Sequence, residues 1–244
     1  MHTLIKDGFQ KFKIDKKKFF LLKKFLNNVK EITNNTLKKN RCNFSSLENF
    51  HNDTDENKNI NDIKLLIIKK INDDQNSSII LFNILKNELM NLFGPDIAGQ
   101  KNINLVIQRP FDKNYVNLHK DSPPNSPHEI VVWMPIVNCY KTMSFKFLNI
   151  SHSKKIENMI KAESADNKIL NYAHKNSTSI ETNVGEFVIF WTGIYHYADL
   201  NKEKDTRWSI NIRYKNLYSP YGMKGFADFF EPKSYSPISN LSLL

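Results

Sequence analysis

The strongest constraint on the fold of this chain is a change of hydrophobic period at Gly94-Pro95. Before it, apolar residues recur at helical spacing. Phe19, Leu22, Phe25, Leu26, Val29 and Ile32 make a one-sided stripe within residues 16–38, because side chains three and four apart share a helix face. Residues 63–71 predict a second helix. Residues 77–93 predict a third, with Ser78 as N-cap and Gly94-Pro95 as the stop. A segment rich in Asn, Asp and Ser, residues 43–59, reads as an exposed connection. The first 95 residues are therefore expected to be helical.

After Gly94 the segments are short, carry β-branched or aromatic residues, and are separated by Pro, Asn, Ser and Asp. Strands are predicted at 102–109, 115–120, 129–135, 144–148, 185–191 and 207–214. Residues 152–174 interrupt this rhythm and read as an insertion, partly helical. Helices followed by many short strands predict an α+β chain, with a jelly-roll or cupin-like core and the N-terminal helices packed on it. The expected organisation is one domain over 1–244, with a helical region 1–95, a β core 96–215 and a C-terminal tail 216–244.

Composition narrows the class. Of 244 residues, 40% are hydrophobic and only 7 are glycine, which suits a packed core and not a fibrous or disordered chain. Cys42 and Cys139 form neither a CxxC pair nor a disulfide framework, as expected of a reducing, cytoplasmic setting. Lys23 and Lys24 cut short the apolar run at Phe19–Leu22, so no signal peptide is expected, and no apolar run is long enough to span a bilayer. The net charge of +10 reads first as lysine on solvated helix faces, and second as attraction to anionic partners. An arginine-and-aromatic signature of RNA binding is missing, so nucleic acid is not the expected partner.

The chemistry is carried by His119-Lys120-Asp121, at the end of a predicted strand. Alternate strand residues point the same way, so an imidazole and a carboxylate can reach one metal ion. The pair alone is a weak signal. A third donor, His196, follows the apolar strand 185–191 after a short turn. Two histidines and one carboxylate with open coordination positions form the facial triad of non-haem Fe(II) oxygenases. The competing reading of His196 is an inert, hydrogen-bonded histidine at a strand end.

Eleven residues on stands Arg207, in Arg207-Trp208-Ser209. In a strand, Arg207, Ser209, Asn211 and Arg213 share one face, while Trp208, Ile210, Ile212 and Tyr214 share the other. The apolar set is expected against the helices and the polar set inside the barrel. An inward arginine needs a carboxylate. That carboxylate is either an internal acid such as Glu129 or Glu186, or a bound ligand held by the guanidinium and Ser209.

His119-x-Asp121, distal His196 and Arg207-x-Ser209 together resemble the Fe(II)- and 2-oxoglutarate-dependent oxygenases. The spacing is most similar to the phytanoyl-CoA dioxygenase-like branch, and residues 119–135 resemble bacterial members associated with carbohydrate or aminoglycoside biosynthesis. The resemblance spans residues 94–214. It implies a double-stranded β-helix, with iron on His119, Asp121 and His196, and the distal carboxylate of 2-oxoglutarate on Arg207 and Ser209. It further implies oxidation of a small substrate, such as a sugar or sugar-linked metabolite, by molecular oxygen, with succinate and CO2 as co-products and hydroxylation as the default outcome. Gln108, Asn117 and Arg213 are additional candidates for cosubstrate contact. Trp133 is either a pocket wall or core, and residues 122–127 a substrate-side loop. Two other readings stay open: a cupin-type metal enzyme that does not use 2-oxoglutarate, and a basic binding module on the same fold without catalysis.

Overall fold

The uninterrupted apolar run Phe187-Val188-Ile189-Phe190 is buried throughout, and a strand with no polar face must be covered on both sides. The computed structural model describes residues 2–54, 59–122 and 125–242. Its N-terminal half comprises α1 (His2–Asp7), β1 (Phe9–Lys13), α2 (Phe19–Lys39), α3 (Phe50–Asp53), α4 (Ile60–Asp73), α5 (Gln75–Phe93), β2 (Ile97–Gln100) and β3 (Asn104–Gln108). Then follow β4 (Glu129–Pro135), β5 (Phe145–Phe147), α6 (Ile150–Lys161), α7 (Asp166–Asn176), β6 (Thr178–Ile180), β7 (Glu186–Trp191), β8 (His196–Ala198), β9 (Arg207–Asn216), β10 (Phe230–Ser234) and α8 (Pro237–Leu241).

Seven strands form one sheet in the order β1-β7-β4-β9-β2-β10, with β3 also paired to β9. The ten-residue β9 is its spine. One edge pairs with β4 from Lys215 to Ser209, and the other is divided between β3, opposite residues 207–211, and β2, opposite residues 214–216. Three short strands, β6-β5-β8, make a second sheet. All pairings between these strands are antiparallel. The small sheet faces the large one through aromatic rings. Phe147 lies 5.1 Å from Phe190 and 5.2 Å from Phe9, and Phe145 lies 5.5 Å from Trp133.

Helices α2, α4 and α5 pack on one another and on the outer side of the large sheet. The apolar stripe of α2 does this work, with Leu22, Phe25 and Val29 buried. The expected division of β9 is observed. Trp208 packs edge-on against Phe50 at 5.3 Å and Tyr214 lies 6.3 Å from Phe82, so its apolar face meets the helical layer.

Several expectations need correction. The first 95 residues are not wholly helical, because β1 pairs with β7 along the sheet edge. Phe9 and Phe12 are too few to register as a strand pattern, and Lys11 and Lys13 give it the charge that edge strands carry. The third helix starts at Gln75, and its N-cap is Asp74, whose carboxylate accepts from the Asn76 amide at 3.1 Å, not Ser78. Residues 115–120 are not a strand. The C-terminal tail contributes β10, an edge strand that tolerates Pro232 at a register shift. Within 43–59 the short α3 carries a fully buried Phe50, and residues 55–58 lie outside the described residues. The insertion is two helices, α6 and α7, which bury Ile156, Ile169 and Ala173 against Tyr195 and Tyr197.

Trp208 joins the helical layer to the spine strand, since its indole also donates to the Leu47 carbonyl at 2.8 Å. Replacing this fully buried ring in Trp208→Ala is expected to lower stability by about 3–5 kcal/mol. Equilibrium urea unfolding measures this, and a loss under about 1 kcal/mol would contradict the packing described.

Candidate metal centre

His119 reaches the site without belonging to a strand. Residues 116–122 run beside β8 and touch it at uneven intervals. Ala198 N donates to Val116 O at 3.0 Å, His119 and His196 exchange backbone hydrogen bonds of 3.1 and 2.9 Å, and Ser122 N donates to Thr192 O at 3.0 Å. Steps of three residues on one side meet steps of two and four on the other, so no regular ladder forms. The exchange at His119 and His196 still has a ladder's consequence: directly opposed residues project their side chains together. The two imidazole rings lie 4.3 Å apart. Between His119 and Asp121, Lys120 points away and pairs with Glu157 on α6.

The donor atoms of His119, Asp121 and His196 all lie within 4.8 Å of one another. Each imidazole is oriented by a backbone carbonyl. His119 Nδ1 lies 2.8 Å from Asn117 O, and His196 Nδ1 lies 3.2 Å from Ile194 O. A carbonyl only accepts, so each Nδ1 carries a proton and each Nε2 is turned toward the other donors, the orientation of metal-ligating histidines. Burial, and then the neighbouring His119, push the pKa of His196 down to about 4, which keeps this ring neutral at physiological pH. Asp121 is 12% exposed, and its Oδ1 lies 3.1 Å from Arg213 Nη2 and 3.7 Å from His119 Nε2. Two imidazole nitrogens plus one carboxylate suit a first-row divalent ion.

These donors border a cavity of about 150 Å3 that Asn104, Val131, Phe145 and Asn211 also line. The inner face of β9 runs past it. Arg207 is 1% exposed, and among the described residues its Nε and Nη1 have no partner. The two acids that might have neutralised it are engaged elsewhere. Glu186 pairs with Lys11 at 3.2 Å, and Glu129 faces Lys215 across the ladder, its Oε1 accepting from the Ser126 amide at 3.0 Å while its Oε2 is buried without a partner. Burial lowers the pKa of Arg207, but a guanidinium stays charged. Around it, Ser209 Oγ, Trp133 Nε1, Gln108 Oε1 and Asn211 Oδ1 are also buried without partners. Each such atom costs about 1–3 kcal/mol, and more for the charged group. Donors and acceptors concentrated on one inner wall fit a polar, anionic ligand. Phe145 lies between this wall and the metal donors, 5.6 Å from Arg207 Cζ and 5.8 Å from the His196 ring.

The structure thus brings together His119, Asp121 and His196 at one end, and Arg207, Ser209 and Gln108 at the other, with Gln108 directly opposite Arg207 in the β3–β9 ladder. It does not bring Asn117 to either. That side chain is exposed and lines a separate cavity with Lys146 and Tyr197, and only its carbonyl serves the site. Val116 lines the metal cavity instead, because residues 115–120 lack strand alternation. Arg213 is at the metal end, and the carboxylate it meets is Asp121. Trp133 is fully buried within the wall. Pro123 and Pro124, in the anticipated substrate-side loop, lie outside the described residues. Asn104, Asn211 and Phe145 were not singled out from sequence. Asn211 was legible from the alternation that begins at Arg207, whereas Asn104 joins it only through strand pairing.

No family model and no curated protein matches this chain. Solved structures do match it in fold. A non-heme monooxygenase solved as a nickel complex, ThoJ, superposes with a TM-score of 0.54 at 13% identity, over 96% of this chain and 83% of that one. HygX from Streptomyces hygroscopicus, solved with nickel and 2-oxoglutarate bound, gives 0.51 at 7% identity, over 93% and 88%. AviO1 from Streptomyces viridochromogenes Tue57 gives 0.50 at 14% identity, over 90% and 94%.

Asp121→Ala removes the carboxylate of the triad and is expected to weaken Ni(II) binding at least about 100-fold by isothermal titration calorimetry. His152→Ala, whose ring bonds the Tyr172 hydroxyl at 2.8 Å, is expected to leave that affinity unchanged. Equal Ni(II) affinity in the Asp121 variant would show that the cluster is not a metal site.

Proposed function

We propose that this protein is an Fe(II)- and 2-oxoglutarate-dependent oxygenase built on a double-stranded β-helix, which hydroxylates a small, hydroxyl-rich molecule such as a sugar or sugar-linked metabolite. One observation carries the reading. A buried guanidinium without a carboxylate, Arg207, lies across Phe145 from a His-Asp-His cluster. A metal enzyme that does not use a diacid has no need of this costly arginine, and a purely structural arginine would have an internal acid beside it. The likeness in fold to non-heme enzymes, one of them solved with 2-oxoglutarate, supports the reading without assigning the reaction.

In this reading His119, Asp121 and His196 hold the iron, and Arg207 with Ser209 holds the distal carboxylate of 2-oxoglutarate. When bound, the iron and cosubstrate supply oxidation by molecular oxygen, releasing succinate and CO2. The remaining work belongs to the protein. Arg207 and Ser209 fix the cosubstrate from a dry wall, where charge-assisted hydrogen bonds are strong. Gln108 and Trp133 border the same anchor. Asn117 and Ile194, through their carbonyls, hold the two imidazoles in the ligating tautomer. Asn104 and Asn211 offer amides to the hydroxyl groups of a substrate, and Phe145, Phe190 and Val131 keep the cavity water-poor.

Anaerobic addition of Fe(II) and 2-oxoglutarate is expected to give a weak visible charge-transfer band. Arg207→Ala is expected to raise the 2-oxoglutarate concentration needed for half of that band at least about 100-fold, with Ni(II) affinity unchanged. Arg207→Lys recovers only part of the loss, because an ammonium cannot reproduce the two-pronged contact. Absence of the band, and of succinate under air, in well-folded protein would reject the assignment.

A further inference from the structure

The chain that follows β9 lays aromatic rings over the cations at the end of that strand. Lys215 Nζ lies 3.5 Å from the Tyr221 ring centroid, Lys224 Nζ lies 4.6 Å from that of Phe229, and Arg213 Cζ lies 5.9 Å from the same Phe229 ring. Lys215 is compensated. It is fully buried, donates to the Pro220 carbonyl at 2.6 Å and sits opposite Glu129 in the β4–β9 ladder.

Lys224 is not compensated. It is half-buried, and among the described residues the Phe229 ring is its contact, with no ion pair. Asp121 and Glu129 attract it and Arg213 repels it, so its ammonium shares the electrostatic field of the metal end. Arg213 uses Nη2 on Asp121 while its Nε is buried without a partner. Asp121 is the anion that serves both cations here; once it serves a metal, a cation on an aromatic face beside a second cation is unfavourable unless another anion joins them.

Charge balance identifies the anion. In the proposed holoenzyme, a divalent ion on Asp121 leaves one positive charge. A 2-oxoglutarate dianion reverses it, and Arg207 restores neutrality. Glu129 is the one remaining carboxylate, opposite Lys215 in the ladder and also attracted to Arg213 and Lys224. Arg213, whose carboxylate partner then serves the metal, Lys215 and Lys224 share that one carboxylate, which leaves two positive charges in excess. A carboxylate would neutralise one of them. A phosphate monoester carries close to two negative charges at neutral pH, with three oxygens to receive donors from both side chains.

We propose that Arg213 and Lys224, stacked about Phe229, bind the dianionic phosphate of a phosphorylated substrate and so place its oxidisable carbon beside the metal. This names the substrate class of the oxygenase reading above and rests on it. In the metal-free protein Asp121 offsets one of these two charges, so methyl phosphate is expected to bind there as well but more weakly, and the phosphate site can be assayed in both states.

The probe is methyl phosphate, with acetate as the monoanionic control, titrated anaerobically into Fe(II)- and 2-oxoglutarate-loaded protein and into metal-free protein. Tryptophan fluorescence reads binding in both, and the charge-transfer band reads it in the loaded protein. Methyl phosphate is expected to bind at least about tenfold more tightly than acetate and to perturb the band. Lys224→Ala is expected to weaken methyl phosphate about tenfold while leaving the 2-oxoglutarate titration unchanged, and Lys224→Arg to stay within about threefold of the parent. Lys224 is partly exposed, so both variants should fold, and urea unfolding checks this. Equal binding of methyl phosphate and acetate, or equal methyl phosphate affinity in Lys224→Ala, overturns the proposal. If the band never forms but methyl phosphate still binds in a Lys224-dependent way, the oxygenase reading fails and the anion site stands. If the band forms and methyl phosphate does not bind, the anion site alone fails.

Discussion

Two backbone hydrogen bonds, exchanged between His119 and His196, decide the geometry on which the rest of the site depends. They set two residues 77 positions apart in the chain directly opposite each other, so both imidazoles project to one side. Neither residue could achieve this alone. His196 is held by β5, whose Phe147 is its cross-strand partner. His119 is held by contacts on either side of it, at Val116 and Ser122, and by the Lys120–Glu157 pair to α6. The helical insertion therefore serves the metal end indirectly, as the surface to which the His119 segment is pinned.

The spine strand β9 divides the molecule chemically. Its outer face, Trp208, Ile210, Ile212 and Tyr214, is fully buried under the helical layer. Its inner face carries Arg207, Ser209, Asn211, Arg213 and Lys215, whose polar atoms would favour water. Leaving several of them without partners costs several kcal/mol. A marginally stable fold tolerates that only because the opposite face and the surrounding rings, Trp133, Phe145, Phe147 and Phe190, bury so much apolar surface. Local cost concentrated on one wall is the usual mark of a site prepared for a ligand.

Charge is graded along the same face. At the Arg207 end one guanidinium stands among neutral polar groups with no carboxylate beside it. In the middle Asn211 is neutral. At the far end Arg213 and Lys215 face Asp121 and Glu129, and Lys224 arrives from the chain beyond the strand. The two ends hold their cations in different ways: one as a planar fork in a dry wall, the other against aromatic rings and carboxylates.

The sequence by itself determined the change from helix to strand at Gly94-Pro95, the apolar strand 187–190 and the two faces of β9. It also identified the candidate metal donors His119, Asp121 and His196, and the candidate carboxylate anchor Arg207. These follow from periodicity and side-chain chemistry, which are local properties. Strand β1 was not legible, because five residues with two lysines have no pattern of their own and become a strand only by pairing with β7. The regular strand expected at 115–120 failed because its contacts with β8 and Thr192 are unevenly spaced, and with it went the placement of Asn117. Whether Arg207 would meet Glu129, Glu186 or no acid at all was likewise beyond the sequence. Only the tertiary structure settled this, by pairing Glu186 with Lys11 and placing Glu129 opposite Lys215 in the β4–β9 ladder. The choice of partner for a buried charge depends on which strands become neighbours, and that information is distributed over the whole chain.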